Sequence, residues 1–171
     1  MKQKTSERGF TLLELVVGLS IAAFVVGAAS MTTITMMRLT PKNNDWAVAL
    51  HQVQNASHWI SHDVQMSQGN IIVGPGTTYL TLMVPEWETD AVVNKTIVYE
   101  LEEMPGDVMS LTRNNQTDGV QTMIAENISN AEANFYSDNA TLTFTIEATA
   151  GDVDVSRDYE AMQRVPTPAT P

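Results

Sequence analysis

Residues 8–38 read RGFTLLELVVGLSIAAFVVGAASMTTITMMR, and from Phe10 through Met37 the only charged side chain is Glu14. This run of 28 residues is closed by Arg38. At about 1.5 Å of rise per residue it makes about 42 Å of helix, more than the roughly 30 Å hydrocarbon core of a bilayer. Lys2, Lys4 and Arg8 stand before it. Basic residues on that flank predict a cytoplasmic N-terminus, with everything after Arg38 emerging on the other side.

Three readings of the run compete. An ordinary secretory signal also has a basic head, an apolar stretch and small residues at the cut, here Gly27-Ala28-Ala29 before Ser30. A plain signal anchor accounts for the span and its orientation but leaves Glu14 unexplained, since a carboxylate in a membrane segment is costly. The third reading uses the local string. Arg8-Gly9-Phe10-Thr11-Leu12-Leu13-Glu14 resembles the processing site of type IV prepilins and type II secretion pseudopilins: a basic leader, Gly before the cut, an aromatic after it, and Glu at the fifth mature position.

The resemblance implies that a prepilin peptidase of the inner membrane removes residues 1–9, cutting after Gly9 and methylating the new N-terminus at Phe10. The apolar helix is then kept and becomes the filament core. It also implies that Glu14 pairs with the cationic amine of an adjacent subunit. The residues suit these roles. Gly9 has no Cβ and an adaptable backbone, as a scissile position requires. Glu14 lies four residues after Phe10, on nearly the same helix face, and pairing neutralises a carboxylate otherwise costly among Leu and Val. A Glu14 that snorkels to the interface is the bland alternative. Gly18, Ala22, Ala23, Gly27, Ala28 and Ala29 allow close helix approach, although no GxxxG spacing is present.

The 171 residues carry 20 acids and 9 bases, a formal charge of -11. Residues 1–9 hold three of the bases and one acid, so the remaining chain has 6 bases against 19 acids, a formal -13. That balance argues against direct nucleic acid binding, which wants a basic stripe. With no cysteine, disulfides, thiolate metal sites and cysteine nucleophiles are excluded. No Gly-x-Ser-x-Gly context and no phosphate-binding glycine loop occurs, and the chain reads as a structural protein rather than an enzyme.

Downstream, Trp46, Ala49, Leu50, Val53, Ala56, Trp59, Ile60 and Val64 recur at steps of three and four, which predicts an amphipathic helix over residues 45–68. Asn44 or Asp45 caps its start, Gly69 ends it, and Pro41-Lys42-Asn43-Asn44 predicts an irregularity before it. After Gly69 the period becomes two. Strands are predicted over 79–84, 95–101, 108–113 and 141–146, with weaker candidates over 120–124 and 133–136, and with Pro85, Pro105 and Gly106 between runs. One helix followed by hairpins is an α+β order, an antiparallel sheet burying one face on the helix. The domain then covers 38–165, with an extended Pro-rich tail at 166–171. The phrases Ile97-Val98-Tyr99-Glu100-Leu101, Ser110-Leu111-Thr112-Arg113, Ile124-Ala125-Glu126-Asn127-Ile128 and Phe135-Tyr136 are similar to the periplasmic part of minor pilins and J-class minor pseudopilins. This implies a pilin-like fold and a minor subunit.

Other clusters contain residue types that could carry chemistry. His58 and His62 share a helix face, with His51 near the same stripe and Asp63 beside it. The glutamate of a zinc protease is missing from His-Trp-Ile-Ser-His, so the histidines read as a solvated or partly packed pair. Acids gather at Glu86, Glu88 and Asp90, at Glu100, Glu102, Glu103 and Asp107, and at Asp152, Asp154 and Asp158. Calcium takes such oxygen ligands, and some pseudopilins use it, but no EF-hand spacing is present. Sequons begin at Asn55, Asn94, Asn115, Asn127 and Asn139, a weak signal beside a bacterial-type leader.

The sequence therefore predicts a subunit of a type IV pilus or type II secretion pseudopilus, with no cofactor. It is held in the inner membrane with its C-terminal domain extracytoplasmic, then joined to other pilin or pseudopilin subunits by an inner-membrane assembly machinery. The alternative is a membrane-anchored extracytoplasmic binding domain with a similar leader.

Overall fold

The structure, a computed structural model, describes residues 10–74, 76–88 and 91–164. The expected leader with Gly9, Asp90, and the tail at 166–171 lie outside the described residues. The chain divides into two compact units, Met1–Pro41 and Lys42–Pro171.

The helix α1 (Leu12–Met66) fills the described part of the first unit. Thr11 caps it: the Glu14 amide donates to Thr11 Oγ1 at 3.3 Å, and the pattern Thr11-Leu12-Leu13-Glu14 is that of a capping box. Among the described residues of this unit the apolar side chains have nothing to pack on. The most apolar window is 0% buried, with Phe10 84% and Phe24 85% exposed. Such a surface needs lipid or neighbouring helices. Its hydroxyl groups are compatible with either, because Ser20, Ser30, Thr32, Thr33, Thr35 and Thr40 each donate to the carbonyl four residues earlier, at 2.8 to 3.1 Å. The irregularity expected at residues 41–44 does not interrupt the helix. Pro41 lies inside α1, where it withholds one donor from the ladder.

In the second unit, α1 buries Ala49, Val53, Ala56, Ile60 and Val64, all at 0% exposure, which is the core row of the expected stripe. The two tryptophans assigned to that stripe are not in the core: Trp46 is 48% and Trp59 36% exposed. The helix seats small and branched residues against the sheet, and its bulkiest side chains lie at the margin.

The described residues of this unit form seven strands: β1 (Ile72–Val73), β2 (Thr78–Glu88), β3 (Ala91–Met104), β4 (Val108–Asn115), β5 (Val120–Tyr136), β6 (Thr141–Ala150) and β7 (Val153–Met162). They form one antiparallel sheet in chain order. The four main predicted strands are present. The two weak candidates are one strand, β5, and β1 and β7 were not predicted. Pro85, expected between runs, sits inside β2 opposite Asn94. Beyond Thr81 no β1 residue pairs with β2, and such an edge tolerates a residue without a donor.

The long β5 shapes the sheet. Its first half pairs with β4 and its second with β6, and the register shifts between Ile128 and Asn130. Asn127 beside this bulge has φ 57°, a left-handed conformation that Asn tolerates better than most residues. A bulge bends the strand and increases twist, and the sheet curls until Tyr79 Oη of β2 donates to the Glu132 carbonyl of β5 at 2.9 Å. Helix and sheet are then joined by the buried cluster around Ile60, Leu80, Tyr99, Leu111, Leu142 and Ile146.

Candidate processing and assembly site

The N-terminal helix presents Glu14, Gly18 and Ala22 at steps of four, a row along one face, and Phe10, just before the helix, extends it. With Leu15 and Leu19 they line an open depression of about 460 Å³. An ideal Cβ on Gly18 would meet nothing within 4 Å, so the row is free to receive another helix. A second depression of about 360 Å³ follows at Phe24, Gly27, Ala28 and Met31. Phe10 and Glu14 are both exposed. Through its backbone Glu14 takes part in the cap on Thr11, and as an acid in the first turn it complements the helix dipole. The Thr-x-x-Glu pattern was legible in the sequence, and the capping role it encodes was missed there.

The remaining candidates separate. His51, His58 and His62 are exposed, and among the described residues no group of three or more His, Cys, Asp or Glu is arranged to hold a metal ion. His62 Nδ1 stands 3.5 Å from Asp63 Oδ1, at the limit of a hydrogen bond. Asp63 itself is directed elsewhere. It is 2% exposed, it accepts from Arg113 Nε at 2.6 Å and Nη2 at 3.2 Å, and it accepts from Tyr99 Oη at 2.7 Å. Burial, then the Asp63 charge, pushes the Tyr99 phenol well above its usual value. For Arg113, burial pulls downward, but the Asp63 carboxylate outweighs it and the net direction is up. The Arg113 guanidinium lies 5.4 Å from the Trp59 ring centroid, a cation–π contact that gives the exposed tryptophan its role.

The first acidic cluster is also committed internally. Glu86 and Glu88 of β2 and Asp118 of the β4–β5 turn surround Lys95 Nζ at 2.8, 2.9 and 2.8 Å. These hydrogen bonds donated by the ammonium, the one to Asp118 first, hold Lys95 far above its usual value. The Lys95 side chain is 9% exposed, while Glu86 is 57% and Glu88 49% exposed. Its cover thus consists of solvent-facing carboxylates, and the cluster lies at the surface of the fold. In the other clusters, Glu102 accepts from Gln121 Nε2 at 2.9 Å, Asp154 from Thr149 Oγ1 at 2.6 Å and Asp158 from Thr145 Oγ1 at 2.7 Å.

The N-terminal row follows directly on the expected cleavage site at Gly9, which lies outside the described residues. Residues 4–30 match the family model of the prokaryotic N-terminal methylation motif. No curated protein and no solved structure matches the chain. The motif implies cleavage by a prepilin peptidase and assembly with other pilins, and with the apolar helix it fits single-pass anchoring in the inner membrane. The chain thus carries the methylation motif of type IV prepilins and pseudopilins, joined to a pilin-like α+β domain.

Proposed function

We propose that the chain is a minor subunit of a type IV pilus or type II secretion pseudopilus. Peptidase cleavage between Gly9 and Phe10 leaves a methylated amine at Phe10, and Glu14 of a neighbouring subunit neutralises it as the helices come into register. The C-terminal domain lies on the extracytoplasmic side and contributes contacts along the fibre or at its tip. The observation that carries this reading is the motif running directly into a helix whose apolar surface is unburied within its own chain. We assign no cofactor to this role, and calcium retained through dialysis of the purified chain would revise that.

Mass spectrometry of the N-terminal peptide from the native host tests the processing. The expected peptide begins at N-methylated Phe10. A start at Ser30 would identify ordinary secretion, and an intact Met1 a signal anchor or binding domain. The assembly role is tested by Glu14→Leu, which should leave membrane insertion unchanged and reduce recovery of the chain in sheared filaments about tenfold or more. Normal recovery would remove the pairing role.

A further inference from the structure

The strand β7 ends the sheet, and among the described residues it pairs only with β6, through ten consecutive residue pairs. Its register fixes which backbone groups remain open. Gln163 N donates to the Ala140 carbonyl at 3.0 Å, placing the odd-numbered residues in bonded pairs with β6. The N–H and C=O groups of Asp154, Ser156, Asp158 and Glu160 then point away from the sheet. The side chains of these four residues are exposed, on the face opposite buried Val155 and Ala161. Natural edges of this length are blunted by charge, Pro or a bulge; β7 has neither Pro nor a bulge, so its charged side chains alone guard the edge and decide what can pair with it.

Charge determines what such an edge accepts. The register sets Glu132, Glu147, Asp154, Asp158 and Glu160 on one face of β5–β7. These three strands contain no Lys and a single Arg, Arg157, which pairs with buried Ile146 and so stands on the other face. The Thr149 and Thr145 hydroxyls hold the Asp154 and Asp158 carboxylates in place. A second copy of β7 would bring a like row of carboxylates beside this one, and like charges on paired strands repel.

We propose that the β7 edge takes up an extended strand of a different protein bearing Lys or Arg at alternate positions. Main-chain bonds to the even-numbered residues supply affinity and the acidic row supplies selectivity. The site is built entirely from the C-terminal domain and does not require processing at Gly9.

The test uses the full chain in a non-ionic detergent and three fluorescein-labelled nonapeptides: alternating Lys and Thr, alternating Glu and Thr, and the Lys peptide N-methylated at alternate backbone positions. Fluorescence anisotropy should show the unmodified Lys peptide binding about tenfold or more tighter than either other peptide. It should also slow amide hydrogen exchange at Asp154, Ser156 and Asp158. The double variant Asp154→Lys/Asp158→Lys should invert the charge preference, and the wild-type comparison decides the matter if that variant does not fold. Equal binding of the N-methylated peptide would reveal charge attraction without strand pairing. That result, no binding of the Lys peptide, or protection confined to another strand would overturn the proposal.

Discussion

Asp63 shows how much one polar side chain can hold when it is buried with its partners. It joins α1 to β3 through Tyr99 and to β4 through Arg113, so its removal strands a guanidinium and a phenol at once. Breaking one partner out of a buried pair costs about 3 to 5 kcal/mol, and Asp63→Ala should lower the stability of the domain by that order in urea denaturation. Tyr99→Phe removes only one charge-assisted bond and should cost about 1.5 to 3 kcal/mol. Equal losses for the two variants would mean that Arg113 contributes nothing. None of this was legible in the sequence, where Asp63 stood out only as a neighbour of His62. An ion pair between residues 50 positions apart leaves no periodic trace, and only the closure of sheet on helix creates it. Glu14 is the opposite case, because its surroundings are contiguous in the chain and its string could be read directly.

At the scale of elements, the helix stripe was read from its spacing and the structure refines it. Ile60 is fully buried while Trp59 is half-exposed. Ile60→Asp should therefore cost about 4 kcal/mol or more by burying an unpaired carboxylate, and an unchanged melting curve would place the stripe elsewhere. Trp59→Ala should cost much less, about 1 kcal/mol, the scale of an exposed cation–π contact. Strands with an apolar face on the core were found because their side chains alternate. β7 escaped because Asp152, Asp154 and Asp158 read as a solvated acidic cluster, and Arg157 interrupts the apolar set Val153, Val155, Tyr159 and Ala161. Its turn carried a usable signal. Gly151 has φ 55°, at the first central position of a two-residue hairpin. A Cβ there would also approach Asp45 Oδ2 to 2.7 Å. Gly151→Val should destabilise the domain by about 1 to 3 kcal/mol through backbone strain and crowding, measurable by thermal melting.

Across the whole molecule, burial of phenols couples stability to alkaline pH. Desolvation, reinforced by the Glu132 charge, raises the Tyr79 phenol far above its usual value, and Tyr99 is raised in the same direction. In the unfolded chain both would ionise near pH 10, while in the fold both stay protonated. The stability they confer is thus complete below about pH 10 and is lost as pH rises above it. A plot of melting temperature against pH should be flat from neutrality to about 10 and then fall. Absorbance near 295 nm should show two tyrosines that ionise only as the domain unfolds, and ionisation of all four before any loss of structure would contradict the burial.

The strand order carries a consequence for export. Each ladder joins strands adjacent in the chain, so no strand has to wait for a partner made much later, and short loop closures favour fast folding. In the proposed orientation, a chain threaded helix first through a translocation pore delivers α1, then each hairpin in turn, onto a surface already in place. The fold can then grow vectorially as it emerges, and β7, the last strand among the described residues, completes the sheet with its outer edge unpaired among them.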